Sequence, residues 1–268
     1  MMWIVCLAGL ISLGGQIVAS QTRGIRLEDL TWVEAQAALT PDTVVVLPVG
    51  AQSKEHGRHL KLRNDFTLAE YLTRRVADAA TVVIPPTVNY HFYPAFVEYA
   101  GSTTLREETA RDLIVDICQS LAAHGPRRFY VLNTGVSTRR PLLASAEILL
   151  KQGIVLRVTD ILAVAGPAEQ KVKQQKEGTH ADEIETSLML YIDPASVDMS
   201  KAARDYPTGV GRLTPKKDSP GRYSASGVSG DATLATREKG AIVAEAMVEG
   251  ILREIEELRK APLPAARQ

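Results

Sequence analysis

Cysteine is nearly absent from this chain of 268 residues: only Cys6 and Cys118 occur, too few for a disulfide framework. Aromatic residues are scarce at 5%, so a local cluster of them stands out. An excess of either charge is missing too, since 31 Lys and Arg balance 31 Asp and Glu at a pI near 7. That balance argues against nucleic acid or an anionic membrane surface as a partner. No long apolar run is present either, the apolar core Trp3 to Leu13 being too short to span a bilayer. Two glycine-rich stretches lack the context that would give them chemistry. Gly209-Val210-Gly211 has neither the strand, the third glycine nor the helix of a dinucleotide site, and no buried strand precedes Gly227-Val228-Ser229-Gly230-Asp231 to make a nucleophile elbow.

What is present is an ordinary globular composition, 45% hydrophobic and 23% charged, at a length that suits one large α/β domain over residues 21–260. Residues 1–20 carry no charge, and Val18-Ala19-Ser20 places small residues before Gln21. This reads as a signal peptide and predicts export; a buried N-terminal element is the alternative. No lipobox precedes Cys6, so no stable membrane anchor is expected, and removal of the leader leaves Cys118 alone on the apolar stripe of a helix. Residues 261–268 are expected to fray.

Along the domain, hydrophobic periodicity predicts helices over Arg26 to Leu39, Phe66 to Ala79, Glu107 to His124, Pro141 to Lys151, from the His180 segment through Ile192, and over Thr236 to Leu258. Apolar runs at Val44 to Leu47, Thr81 to Pro85, Phe129 to Leu132 and Ile154 to Val158 predict strands. Strands alternating with helices imply a three-layer α/β/α sandwich with a mainly parallel sheet. The polar stretch Gly166 to Thr179 reads as a mobile surface loop, and Ser196 to Ser226, without apolar period, as a lid or an oligomer arm.

Leu47 to Asp65, LPVGAQSKEHGRHLKLRND, is the stretch where chemistry concentrates. It sets His56 and His59 behind a buried strand, at the sheet edge where open α/β folds bind ligands, with Asp65 at the start of the next helix. Imidazole plus carboxylate suits Zn or Mn, while Asp65 read alone is a helix N-cap. A second concentration is the aromatic segment Tyr90, Phe92, Tyr93, Phe96 and Tyr99, which suits a pocket wall or an oligomer contact equally; His91 within it is a pocket group or a hydrogen-bonded structural histidine. His180 and Glu185 would lie close together at a helix N-terminus, a reasonable place for an acid or base.

Taken together these motifs resemble the creatininase (creatinine amidohydrolase) family from about Leu47 to Leu258. The family's VGSxEQHGxHLPLxTD is matched by Val49-Gly50 and by His56-Gly57-Arg58-His59-Leu60 through Asp65, and its PGTxxL by Ala100 to Leu105. Its HAGExETS is matched by His180 to Ser187, and its GdPxxAtxekG by Gly230 to Gly240. The resemblance implies a metal-dependent hydrolase of cyclic amides or related C–N bonds in small molecules. It also implies a homohexamer and two divalent ions, Zn or Mn, that activate a water. On that basis His56 and Asp65 are ligands, Glu185 is a ligand or supporting carboxylate, and His180 is the proton shuttle.

Two positions depart from the pattern. Lys54 stands where the family has a ligating Glu, and Gly135, in Asn133-Thr134-Gly135-Val136-Ser137-Thr138, stands where it has a ligating His. Glu55 is one residue displaced, and neighbours in an extended segment point to opposite sides, so it does not replace the lost ligand without a change of backbone. Three functions follow as expectations. The first is a hydrolase with one ion held by His56, Asp65 and Glu185, with Glu55 or His91 completing the set. The second is a metal-free hydrolase in which Lys54 supplies positive charge and His180 moves the proton. The third is a non-catalytic protein that binds a small molecule.

Overall fold

The computed structural model describes residues 23–264; the leader predicted over residues 1–20 and the end of the tail lie outside the described residues. Five parallel strands form the central sheet: β1 Ile25–Arg26, β2 Val44–Val49, β3 Val83–Ile84, β4 Arg128–Asn133 and β5 Val155–Val158, in the order β1-β3-β2-β4-β5. The helices are α1 Trp32–Ala38, α2 Asn64–Ala79, α3 Glu107–Ala122, α4 Arg139–Lys151, α5 Gly166–Val172, α6 Glu183–Ile192 and α7 Arg237–Lys260.

The β-branched run of β2 is buried on both faces, and its alternation sorts the core. Val44 and Val46 pack with Tyr130, Leu132 and the apolar stripes of α2, α6 and α7, whereas Val45, Leu47 and Val49 pack with Phe129, Val131 and the stripes of α3 and α4. The protein is thus a three-layer α/β/α sandwich, with Cys118 fully buried in the second cluster. Among the described residues, no helix is long and apolar enough to cross a membrane.

Several local expectations shift. Pro48 does not end β2, which runs on to Val49 opposite Asn133. The Pro48 carbonyl accepts from Val88 N, so its missing N–H faces the β3 side, where the ladder proper is only two residues long. α2 starts at Asn64, which moves Asp65 from cap to first turn and aims its carboxylate inward. The first predicted helix splits: α1 begins only at Trp32, because Thr31 and Glu34 form a capping box. The polar stretch from Gly166 is not a plain loop. It forms α5 and then a turn whose Gln174 and Gln175 amides donate to the buried Glu183 carboxylate, itself 2.5 Å from Lys239 Nζ on α7. Residues 196–226 contain one short strand pair, Leu213–Thr214 with Arg222–Tyr223, and contribute Arg204–Asp205 to a second with Gly230–Asp231.

Candidate active site

The carboxyl ends of β2 and β4 and the N-terminus of α6 meet at one rim. His56, fully buried, lies between two acceptors: Nδ1 is 3.0 Å from the Lys54 carbonyl and Nε2 is 2.7 Å from Asp65 Oδ1. The other Asp65 oxygen, Oδ2, is 2.6 Å from Lys54 Nζ, and both side chains are buried. Burial would raise the Asp65 pKa, but the charge of Lys54 and the His56 contact outweigh it and hold the carboxyl well below the ordinary range. His59 takes a different role. Its Nε2 is 2.8 Å from Thr186 Oγ1, which ties the loop to α6, and burial pulls its pKa down to about 4, so it is neutral at pH 7.

Glu55 points the opposite way from Lys54, as an extended backbone dictates. Its Oε2 lies 2.9 Å from His180 Nε2, and its Oε1 accepts from the Gly57 amide. Room for this carboxylate exists because residue 227 is glycine, at φ +78, where a Cβ would fall 1.9 Å from Glu55 Oε1. His180 is fixed from three sides: its backbone bridges to Ser229, its ring stacks on Phe96 at 4.0 Å, and the His56 ring stands 5.0 Å away. Asp182 caps α6 by accepting from the amides of Ile184 and Glu185. The intervening Ala181 sits at φ 48, a left-handed conformation that costs a non-glycine residue about 1 kcal/mol. That turn aims the Ala181 amide at Glu185 Oε2, 2.5 Å away, and leaves the same oxygen 3.8 Å from His180 Nδ1.

Of these groups, Lys54, His180, Asp182 and Glu185 open on a cavity of about 290 Å³. Phe96, Val136 and Leu162 give it apolar wall, Leu213 and Arg222 come from the segment read as a lid, and Lys54, His180 and Glu185 supply polar atoms. Sequence reasoning missed Glu169 on α5, which also lines the cavity; burial, then the charges of Asp182 and Glu185, push its pKa up to about 7. No local motif marks it, because α5 itself was read as loop. The aromatic segment divides: Phe96 is pocket wall, Tyr93 is buried beneath it, and Tyr90 is exposed. His91 is fully buried outside the cavity lining, with neither ring nitrogen hydrogen-bonded, so it does not complete a ligand set here. Glu55 does not complete one either in this geometry, its carboxylate being spent on His180 and Gly57.

The family model for creatinine amidohydrolase (Creatininase) matches residues 28–255. The chain belongs to the creatininase family. The creatinine amidohydrolase of Pseudomonas putida is 27% identical over 255 residues, covering 88% of this chain and 98% of that one. A mycofactocin precursor peptide peptidase of Mycobacterium tuberculosis is 24% identical over 225 residues, covering 79% and 84%. Among solved structures, a mutant creatininase of Zn-Zn type superposes with a TM-score of 0.77 at 26% identity, covering 89% of this chain and 99% of that one.

Whether a divalent ion suits this creatininase-family site is decided by its donors. Among the described residues, His56, His180 and Glu185 each offer a ligand atom within 4.8 Å of the others, and Asp65 adjoins through His56. His56 reaches an acceptor with each ring nitrogen, the Lys54 carbonyl at Nδ1 and Asp65 Oδ1 at Nε2, so either a proton on Nε2 or a cation shared at that 2.7 Å contact satisfies the pair. Of the three nearby carboxylates, Asp65 is paired with the Lys54 ammonium and Glu55 with His180, while Glu185 stays 3.8 Å from His180 Nδ1. The donor set of His56, His180 and Glu185 fits one divalent cation.

Proposed function

We propose that this creatininase-family chain is an exported hydrolase that opens an amide or related C–N bond in a small cyclic substrate, using His180 and one divalent ion, Zn or Mn, held by His56, Asp65 and Glu185. The observation that carries it is the His180–Glu55 pair, a carboxylate–imidazole contact of 2.9 Å whose imidazole lines a cavity. With Nε2–H donating to Glu55, the ring has one orientation and keeps its Nδ1 lone pair free. Nδ1 takes a proton from the attacking water and passes it to the leaving nitrogen as the C–N bond breaks. A divalent ion supplies Lewis acidity, which makes water a competent nucleophile near neutral pH. Phe96, stacked on the imidazole, excludes bulk water from that side.

The cavity is at the small end of ligand pockets and is walled by Leu213 and Arg222, which favours a compact ring over an extended peptide. The uncharged leader supports export, and exposed Trp32 and Val33 on α1 offer apolar surface to a homo-oligomer, a hexamer by the family pattern. The test is turnover of a panel of lactams, hydantoins, formamides and short peptides by purified protein, with metal content measured alongside. Hydrolysis of a cyclic amide that His180→Ala abolishes is the expected result. Binding and stabilisation by such a compound without turnover would replace the hydrolase with a binding protein, and turnover of peptides alone would move the substrate class.

A further inference from the structure

A Zn-Zn site, such as one solved creatininase is described as having, does not fit the Asp65 end of this cluster. The Lys54 ammonium is buried 2.6 Å from Asp65 Oδ2, whereas a divalent ion bound to that oxygen would need a position only about 2.0–2.2 Å from it. The ammonium is held by more than the carboxylate, lying 4.9 Å from the centroid of the Phe96 ring and 5.6 Å from that of Tyr93. The same Tyr93 ring also closes on Gly135. A Cβ at Gly135 would stand 2.9 Å from Thr138 Oγ1 and 3.2 Å from Tyr93 Cε1, so an imidazole does not fit there, and the fully buried Tyr93 ring occupies that side. Lys54 also lines the cavity, which puts its charge in reach of a bound ligand.

We infer that Lys54 is a built-in cation in place of a second metal ion: its ammonium occupies the Oδ2 side of Asp65, so that only the Oδ1 side, beside His56, would be left to a divalent ion, and that ammonium donates to the carbonyl oxygen of the bound amide. The inference rests on the one-ion site proposed above. Its consequence is that the ammonium and an ion at Oδ2 exclude each other, a property of the protein that is measurable without turnover.

The experiment counts ions. Wild-type protein and Lys54→Glu are each loaded with excess zinc, desalted and analysed for metal per chain, with circular dichroism and Tm confirming the fold. The expected result is one zinc in the wild type and two in Lys54→Glu, with turnover falling at least tenfold in the variant. Zero in the wild type and one in Lys54→Glu would also support the inference about Lys54, while removing the ion from the proposed function. Two zinc ions in the wild type, or equal numbers in both proteins, would overturn it. Should Lys54→Glu not fold, Lys54→Gln carries the same test through affinity: zinc binding at least tenfold tighter than wild type supports the inference, and unchanged affinity overturns it.

Discussion

Two halves of the candidate site stand side by side, with the His56 and His180 rings 5.0 Å apart, and they are built differently. Around Asp65 the contacts come from within the protein: Lys54 on one oxygen, His56 on the other, aromatic rings beside the ammonium and a glycine where an imidazole would clash. Around His180 only one side of the ring is answered, by Glu55, and the imidazole and Glu185 face the cavity. The difference separates holding from reacting. A buried ion pair is costly to break, whereas a histidine fixed on one nitrogen and free on the other moves protons.

The largest effect should come from the open half. His180→Ala is expected to lower kcat about 10²–10⁴-fold with little change in Tm, and Glu55→Gln to lower it less, because the amide still orients the ring. Steady-state kinetics on the best cyclic amide check both; equal loss in the two variants would mean that Glu55 does more than orient His180. In the closed half the balance reverses. Lys54→Met leaves a buried carboxylate without its cation and should cost about 3–5 kcal/mol of stability in urea unfolding, unless added zinc restores it.

Acid separates the halves from the rest of the molecule. Asp65 has a depressed folded-state pKa, so its contribution is intact above the unfolded value near 4 and is lost only as pH falls below that. His59 and His91, both lowered to about 4 from 6.5, bind protons more readily when unfolded. Stability should therefore fall as pH drops from 6.5 to 4, by about 3 kcal/mol for each across the interval. His91→Leu tests this cleanly, since neither ring nitrogen is hydrogen-bonded and the residue lies outside the cavity lining. Urea titrations at pH 7 and 4.5 should show a shallower pH slope in the variant and no loss of activity at pH 7.

Most of the layer architecture was legible in the sequence because β2 is an unbroken apolar run and α3 and α7 each carry one apolar stripe. The rim was legible too: the alternation of an extended backbone told that Lys54 and Glu55 would diverge. What they diverge toward was not legible, since the Glu55–His180 contact joins positions 125 residues apart and depends on a glycine at 227. Glu169 was hidden for another reason. Its helix is short and carries no apolar stripe long enough to predict it: Val172 alone packs on the core from within it, and the turn that follows is tied to the distant Glu183.

The smallest effect should fall where the two halves touch. Phe96 is an apolar side chain shared by both, stacking on His180 at 4.0 Å and lying 4.9 Å from Lys54 Nζ. Phe96→Leu keeps an apolar wall but removes the ring face, a change worth about 0.5–1.5 kcal/mol, and should lower kcat a few-fold with KM nearly unchanged. If Lys54 instead needs the ring to stay in place, Tm will drop with kcat and the zinc count will rise above one. Kinetics, melting temperature and metal content measured on this one variant therefore tell whether the ring serves the histidine alone or also keeps the ammonium seated on Asp65.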